Sequence, residues 1–277
     1  MQVSGGSGAR TDRGSTASVG RRWLWKRVVP PAITIVLVLT LWVVITAGGF
    51  VADYVIPSPW AVLHSLIETW PTRLGSATWL TFSETVAGVL VGVVVAVITV
   101  VISGYLPVIG AAMTPLLVAS QAIPVIVVGP LLTIALGYGM SPKVIVVALL
   151  CFFPVALNLL AGIRSVDARL VDTMRSLHAS RHGLLWRLRL PAAAPRGFAG
   201  LRVSVTFAPV AAVFAEYTGS TNGIGYLMLQ AIPRMQTDFV FAQVVVLTIM
   251  SATLLGAVTL LERLVCSWNT PTRESEA

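Results

Sequence analysis

Apolar residues run through this chain in long blocks, and polar residues gather between them. Residues 28–52 contain no Asp, Glu, Lys or Arg, and residues 85–142 contain none in 58 positions. A helix that crosses a bilayer needs about 20 mainly apolar residues, and the stretch 31–50 meets that length. The 58-residue block is too long for one helix and fits two, joined at Gly104-Tyr105-Leu106-Pro107. There Gly admits unusual backbone angles and Pro ends helices. The pattern thus predicts a second span from near Phe82 and a third over about 113–136. The turn Gly137-Tyr138-Gly139-Met140-Ser141-Pro142 precedes a fourth over 144–163, and a fifth and sixth follow over 197–216 and 239–261. The expected fold class is all-α, a polytopic protein with six transmembrane helices. Between the first two spans, Pro57-Ser58-Pro59-Trp60 opens a more polar segment carrying Asp53, His64, Glu68 and Arg73. Ser58 is placed to cap a short helix through Val62, Leu63, Leu66 and Ile67, expected to lie at the outer interface. No internal repeat and no inverted pair of broken helices of the secondary-transporter kind is visible.

Composition strengthens this picture. The chain is 56% hydrophobic and 11% charged, against about 25% charged in soluble domains. A signal peptide has an apolar core of only about 7–15 residues, so a retained first helix is favoured over a cleaved one. Residues 1–27 read as a basic tail, disordered in its Gly-, Ser- and Thr-rich first twenty positions. Residues 28–268 read as the membrane domain and 269–277 as a second tail.

The net charge of +8 does not point to nucleic acid, because the basic residues sit in blocks between apolar stretches. Counting Lys and Arg by loop gives fifteen on the side that holds both termini and residues 164–196, and three on the other (Arg73, Lys143, Arg234). Basic loops stay inside, which places both termini in the cytoplasm of a bacterial cell membrane. Arg202 is near enough to the same side to snorkel. Cys151 and Cys266 lie far apart in or beside apolar segments and read as buried small residues.

The basic loop carries further organisation. Ser165 or Asp167 is placed to cap one helix and Ser180 a second. Leu177, Leu184 and Leu188, spaced by seven and four, would form an apolar stripe flanked by arginines. A short amphipathic element of this kind suits docking into a groove on a partner. The residues alone leave open a plain basic loop that only fixes topology. Pro191 and Pro195 are expected to break the chain before it re-enters the bilayer.

At this loop the sequence resembles the permeases of binding-protein-dependent ABC importers. Their cytoplasmic pattern is Glu-Ala-Ala, three residues, Gly, nine residues, Ile, one residue, Leu-Pro. Here Asp172-Thr173-Met174 takes the first place, Arg175, Ser176 and Leu177 the gap, and His178 the Gly position. Ala179 and Ser180 open the nine-residue gap, which also holds Leu184 and Leu185, and Leu188 and then Leu190-Pro191 complete the match. The departures are Asp for Glu, the bulkier Thr-Met for Ala-Ala, and His for Gly at a position suited to a left-handed turn. Further likeness to the nitrate, sulfonate and taurine branch runs through Ile56-Pro57-Ser58-Pro59, Gln121-Ala122-Ile123-Pro124, Cys151-Phe152-Phe153-Pro154 with Asn158, and Ala215-Glu216-Tyr217. The run Gly225-Tyr226-Leu227-Met228-Leu229-Gln230 is similar to permeases for pyrimidine precursors of thiamine. The resemblance implies that the loop couples to cytosolic ABC ATPase subunits and that an extracytoplasmic binding protein delivers the solute. It also implies a second permease copy, with ATP bound by the ATPase partner and no cofactor in this chain.

Polar residues inside the apolar blocks are the remaining candidates. An acid at a helix centre costs about 2.5–3.5 kcal/mol on insertion scales and less near the interface. Glu84 lies near the outer end of the second span, in reach of outside water. Glu216 is followed by the uncharged, glycine-bearing stretch Asn222-Gly223-Ile224-Gly225-Tyr226. Such backbone at membrane depth lines a cavity or is buried in protein, which makes Glu216, Asn222, Gly223, Gly225 and Tyr226 candidate gate or path residues. Gln121, Pro124 and Asn158 join them, with interhelical hydrogen bonding as the other reading of the amides. No Gly-x-x-x-x-Gly-Lys-Ser/Thr loop, Gly-x-Ser-x-Gly elbow, His-Glu-x-x-His pair or Cys-x-x-Cys pair occurs. The expected function is a non-catalytic importer permease for a small polar solute, with a secondary transporter and a membrane-embedded enzyme as the alternatives.

Overall fold

The computed structural model describes residues 16–122 and 124–268, and its contacts divide the chain into two units, residues 1–61 and 62–277. The expected tail 269–277 and the first fifteen residues lie outside the described part. Every element among the described residues is helical.

The first unit is built on α1 (Thr16–Ala47), whose apolar part is Ala32–Ala47. Residues 16–27, expected as tail, instead continue this helix, because Arg, Leu and Lys in that stretch are good helix formers. Beyond α1, the Trp42 indole N–H donates to the Pro57 carbonyl at 3.1 Å and folds the entry segment back on the helix. The Ser58 hydroxyl accepts from the Ala61 N–H at 3.2 Å, the cap expected for α2 (Pro59–Thr69).

The short helix is not a separate element. It passes through a π-turn, Trp70–Leu74, into α3 (Gly75–Tyr105), giving one helical stretch of 47 residues. The Gly75 N–H reaches back to the Trp70 carbonyl, and the extra residue of this wide turn accommodates Pro71 without ending the helix.

The centre of the second unit is α6 (Met140–Arg164), held between α3 and α9 (Leu190–Glu216). Backbones approach closely because small residues face each other, as in membrane helix pairs. A Cβ at Gly92 of α3 would stand 2.6 Å from the Ala148 carbonyl of α6. One at Gly200 of α9 would stand 2.5 Å from the Pro154 carbonyl. Helix α11 (Thr237–Val265) packs on α9, while Leu90, Val94, Ile249 and Leu264 stay exposed on the outer faces.

Two expectations about the spans are corrected. The third is not one helix but two, α4 (Pro107–Ser120) and α5 (Val125–Leu136). Pro124 has no N–H to return to the preceding turn and disfavours a helical residue before it. Pro191 and Pro195 do not break the chain. Pro191 comes one residue after the wider π-turn that ends at Arg189, and Pro195 is carried inside the helix. With α8 (Arg181–Leu184) and a π-turn at Leu185–Arg189, α9 forms one helical stretch of 36 residues. Among the described residues four helical stretches are long and apolar enough to cross a membrane, and shorter apolar helices occur in α1 and α5.

Candidate functional site

The segment between α6 and α9 is organised by its caps. The Asp167 carboxylate accepts from the Arg169 N–H at 2.9 Å and starts α7 (Ala168–Ser176). At the other end the Ala179 N–H bonds the Met174 carbonyl at 3.0 Å and the His178 N–H the Arg175 carbonyl at 2.9 Å. These two bonds define a Schellman ending, whose left-handed position usually holds glycine. His178 occupies it with φ 60°. The Ser180 hydroxyl then accepts from the Gly183 N–H at 3.1 Å and starts α8. Asp172 and Arg175 form an exposed pair at 3.5 Å, and the Thr173 hydroxyl bonds its own helix at Arg169.

The expected leucine stripe is not one face. Leu177 is 74% exposed, whereas Leu184 and Leu185 are 7% and 2% exposed and Leu188 is half-buried. The left-handed residue at 178 and the π-turn after α8 rotate the three leucines apart. Leu185 lies against Gly104 at the end of α3. Nearby the Trp186 indole N–H donates to the Tyr105 hydroxyl at 3.1 Å, which is hydrogen-bonded to His182 Nδ1 at 2.7 Å. Met174, Leu177, His178, Ser180, His182 and Arg187 line an open hollow of about 490 Å³.

At the opposite ends of α3, α6 and α9 the chain buries a cluster of charges. Lys143 Nζ lies 3.5 Å from Glu84 Oε1, with side chains 8% and 1% exposed. Glu216 Oε1 accepts from the Thr81 hydroxyl at 2.6 Å, and Oε2 from the Gly225 N–H at 2.6 Å. The Ile224 N–H donates to the Thr81 oxygen at 2.9 Å. Glu216 and Thr81 together thus satisfy the start of α10 (Ile224–Ala231), whose first N–H groups have no partner inside the helix. Gly223, at φ 113°, leaves room for this: a Cβ there would lie 2.3 Å from Glu216 Oε1. Glu84 Oε2 is buried without a hydrogen-bond partner among the described residues.

Two expectations change here. Glu84 does not reach outside water, and Lys143 is not a loop cation but a buried residue in the first turn of α6. The signal for their pairing was present, because an acid and a base each isolated at an apolar edge are usually partners. The expected path residues divide into groups. Glu216, Gly223 and Gly225 belong to the buried cluster. Asn222 is exposed beside it, its side-chain oxygen accepting from the Gly223 N–H at 2.7 Å, and Tyr226 is half-buried. The Asn158 amide donates to the Pro154 carbonyl at 2.8 Å within its own helix. Gln121 and Pro124 stand exposed at the break between α4 and α5.

Gln121 also lines a groove of about 210 Å³ with Leu150, Phe153, Pro154, Val203, Ser204 and Phe207. The Arg202 guanidinium, expected to snorkel, is paired with Glu262 across α9 and α11. Among the described residues no group of three His, Cys, Asp or Glu side chains is arranged to hold a metal.

Residues 88–266 match the family described as binding-protein-dependent transport system inner membrane component. A probable ABC transporter permease protein of Haemophilus influenzae is 36% identical, covering 81% of this chain and 91% of its own. A putative aliphatic sulfonates transport permease protein of Bacillus subtilis is 29% identical, over 90% and 89%. A formylaminopyrimidine transport permease protein of Halalkalibacterium halodurans is 26% identical, over 87% and 96%. The chain belongs to the family of binding-protein-dependent transport system inner membrane components, the permeases of ABC importers.

Proposed function

We propose that this permease is the non-catalytic, path-forming subunit of an importer for a small polar organic solute, paired with a second copy of itself. Its α7–α8 segment docks on a cytosolic ABC ATPase, which binds the ATP, and an extracytoplasmic binding protein supplies the solute. Both termini and the α7–α8 segment lie in the cytoplasm, a reading that rests on the fifteen-to-three distribution of basic residues. The observation that carries the docking is the double-capped α7–α8 unit, which keeps a preformed turn at His178 and an exposed Leu177 beside an open hollow. A preformed surface loses little entropy on binding. The relatives named for aliphatic sulfonates and formylaminopyrimidine support a small polar solute.

The buried Glu216 serves this function by fixing the α9–α10 turn to α3, so that the outer ends of the helices move as one body. The test is Leu177→Asp, which places a charge on the exposed docking surface without touching the core. Co-purification of the ATPase and solute-stimulated ATP hydrolysis in lipid discs should each fall about tenfold, a loss of roughly 1.4 kcal/mol. Unchanged values in both would remove the docking role from this segment.

A further inference from the structure

Arg164 and Arg189 line one small hollow at the ends of three long helices. Arg164 is the last residue of α6, Arg189 stands directly before α9, and Ser103 and Gly104 are among the last three residues of α3. Gly110, in the first turn of α4, adjoins them. We propose that this hollow binds the phosphate of an anionic phospholipid headgroup. The inference goes beyond solute transport and takes from the proposed function only that these helix ends lie at one face of the membrane.

Charge is the first argument. Among the described residues no Asp or Glu lines the hollow, and the ion pairs use neither Arg164 nor Arg189. Asp167, the acid closest to Arg164 in sequence, caps α7 instead. The neighbouring stretch 85–142 brings no charge of either sign. Two cations that line one small space repel each other until an anion enters it. Arg164 Nη2 donates to the Gly110 carbonyl at 2.6 Å, which fixes the guanidinium at the wall with other N–H groups to spare. The Ser103 hydroxyl is directed at the Thr99 carbonyl at 2.8 Å, so donation to an anion falls to the arginines. A guanidinium fork matches phosphate oxygens two at a time.

Depth and size select a lipid phosphate. The 25 residues of α6 extend about 37 Å, and Arg189 lies about 40 Å from the far end of the 27-residue α9. Both lengths exceed a hydrocarbon core of about 30 Å and stay within the roughly 40–45 Å that includes the headgroups. The two arginines therefore reach the level of the phosphates, and basic pockets between spanning helices on the cytoplasmic side suit anionic headgroups. A volume of about 150 Å³ admits a compact group, against about 300–1,000 Å³ for drug-sized sites. Acyl chains hold a lipid phosphate at this depth and raise its local concentration over that of a free anion. A headgroup bearing an ammonium would bring a further cation beside the arginines, which favours a net-anionic lipid.

The test uses the full-length permease with its ATPase in neutral detergent, titrated with phosphatidylglycerol or phosphatidylcholine, with bound lipid counted by native mass spectrometry. Phosphatidylglycerol should bind about tenfold more tightly than phosphatidylcholine. Arg189→Gln and Arg164→Gln should each weaken phosphatidylglycerol by about fivefold to tenfold and leave phosphatidylcholine unchanged. Arg187→Gln, in the same π-turn as Arg189 but lining the hollow beside His178, should change neither. Millimolar inorganic phosphate should not displace the lipid. All variants are checked for wild-type elution by size exclusion. Equal affinity for the two lipids would overturn the proposal, as would unchanged affinity in both the Arg164 and Arg189 variants. An equal loss in Arg187→Gln would reduce the effect to general basic charge, and displacement by inorganic phosphate would give the hollow to a free anion. Either result removes the lipid site. Failure of the ATPase to co-purify with the wild-type chain would count against the proposed function and leave the lipid comparison standing.

Discussion

Lys143→Met isolates the energetic role of the buried cluster. The side chain lies 3.5 Å from Glu84, and the two groups are 8% and 1% exposed. Exposed pairs contribute about 1 kcal/mol or less, but removing one partner of a buried pair costs about 3–5 kcal/mol because the other charge is stranded. A second carboxylate, Glu216, stands beside Glu84, and among the described residues of the cluster Lys143 is the one cation. For a domain of this size each kcal/mol is worth about 2–4 °C, so the midpoint of thermal unfolding in nanodiscs should fall by roughly 6–20 °C. The double variant Lys143→Met/Glu84→Gln removes the stranded charge together with its partner and should recover more than half of the loss. Glu216 keeps its bonds to Thr81 and Gly225 in that variant. Intrinsic tryptophan fluorescence during heating reads the midpoint directly. A single variant within about 2 °C of wild type, or a double variant as unstable as the two single losses added, would refute this account of the cluster.

Other outcomes follow from the turns. Gly223→Ala meets both a left-handed backbone at φ 113° and a carboxylate oxygen 2.3 Å from the new Cβ, and should cost about 1–3 kcal/mol, read as lower thermal stability and faster amide exchange across α10. His178→Gly relieves a left-handed non-glycine residue and should strengthen the end of α7 by about 1 kcal/mol, seen as slower amide exchange at Ala179 with ATPase association retained. Leu184→Asp puts a charge at a site only 7% exposed and should reduce the yield of folded protein rather than uncouple it selectively. Normal yield with selective loss of ATPase would return Leu184 to the docking surface.

The helical class, the membrane blocks and the caps at Ser58, Asp167 and Ser180 were legible in the sequence because each depends on neighbours within a few residues. At His178 the family pattern marked a place suited to a left-handed turn, but histidine there left the conformation open, and the structure gives it φ 60°. What escaped depends on partners far along the chain. Pro124 and Pro191 are the same residue type in similar company, yet one stands at a helix break and the other in a first turn. The burial of Leu184 and Leu185 is decided by what packs beside them, including Gly104, some eighty positions earlier. Glu84 looked solvated because its partner Lys143 is 59 positions away and looked like a loop residue.

Close approaches at Ala193, Gly197 and Gly200 clamp α9 to α6 over the half of the helix nearer Leu190. Gly200 is pressed against the Pro154 carbonyl, ten residues from one end and sixteen from the other. At about 1.5 Å per residue these arms are roughly 15 and 24 Å, so a tilt of about 5° moves the Leu190 end by about 1.3 Å and the Glu216 end by about 2 Å. Strokes of this size are the scale on which packed helices shift in switching proteins. Glu216 holds Thr81 and Gly225 at 2.6 Å, distances that tolerate only tenths of an ångström before the bonds are lost. A tilt of α9 about the Gly200 contact therefore either carries α3 and α10 along with the Glu216 end or breaks the bonds that tie them to it.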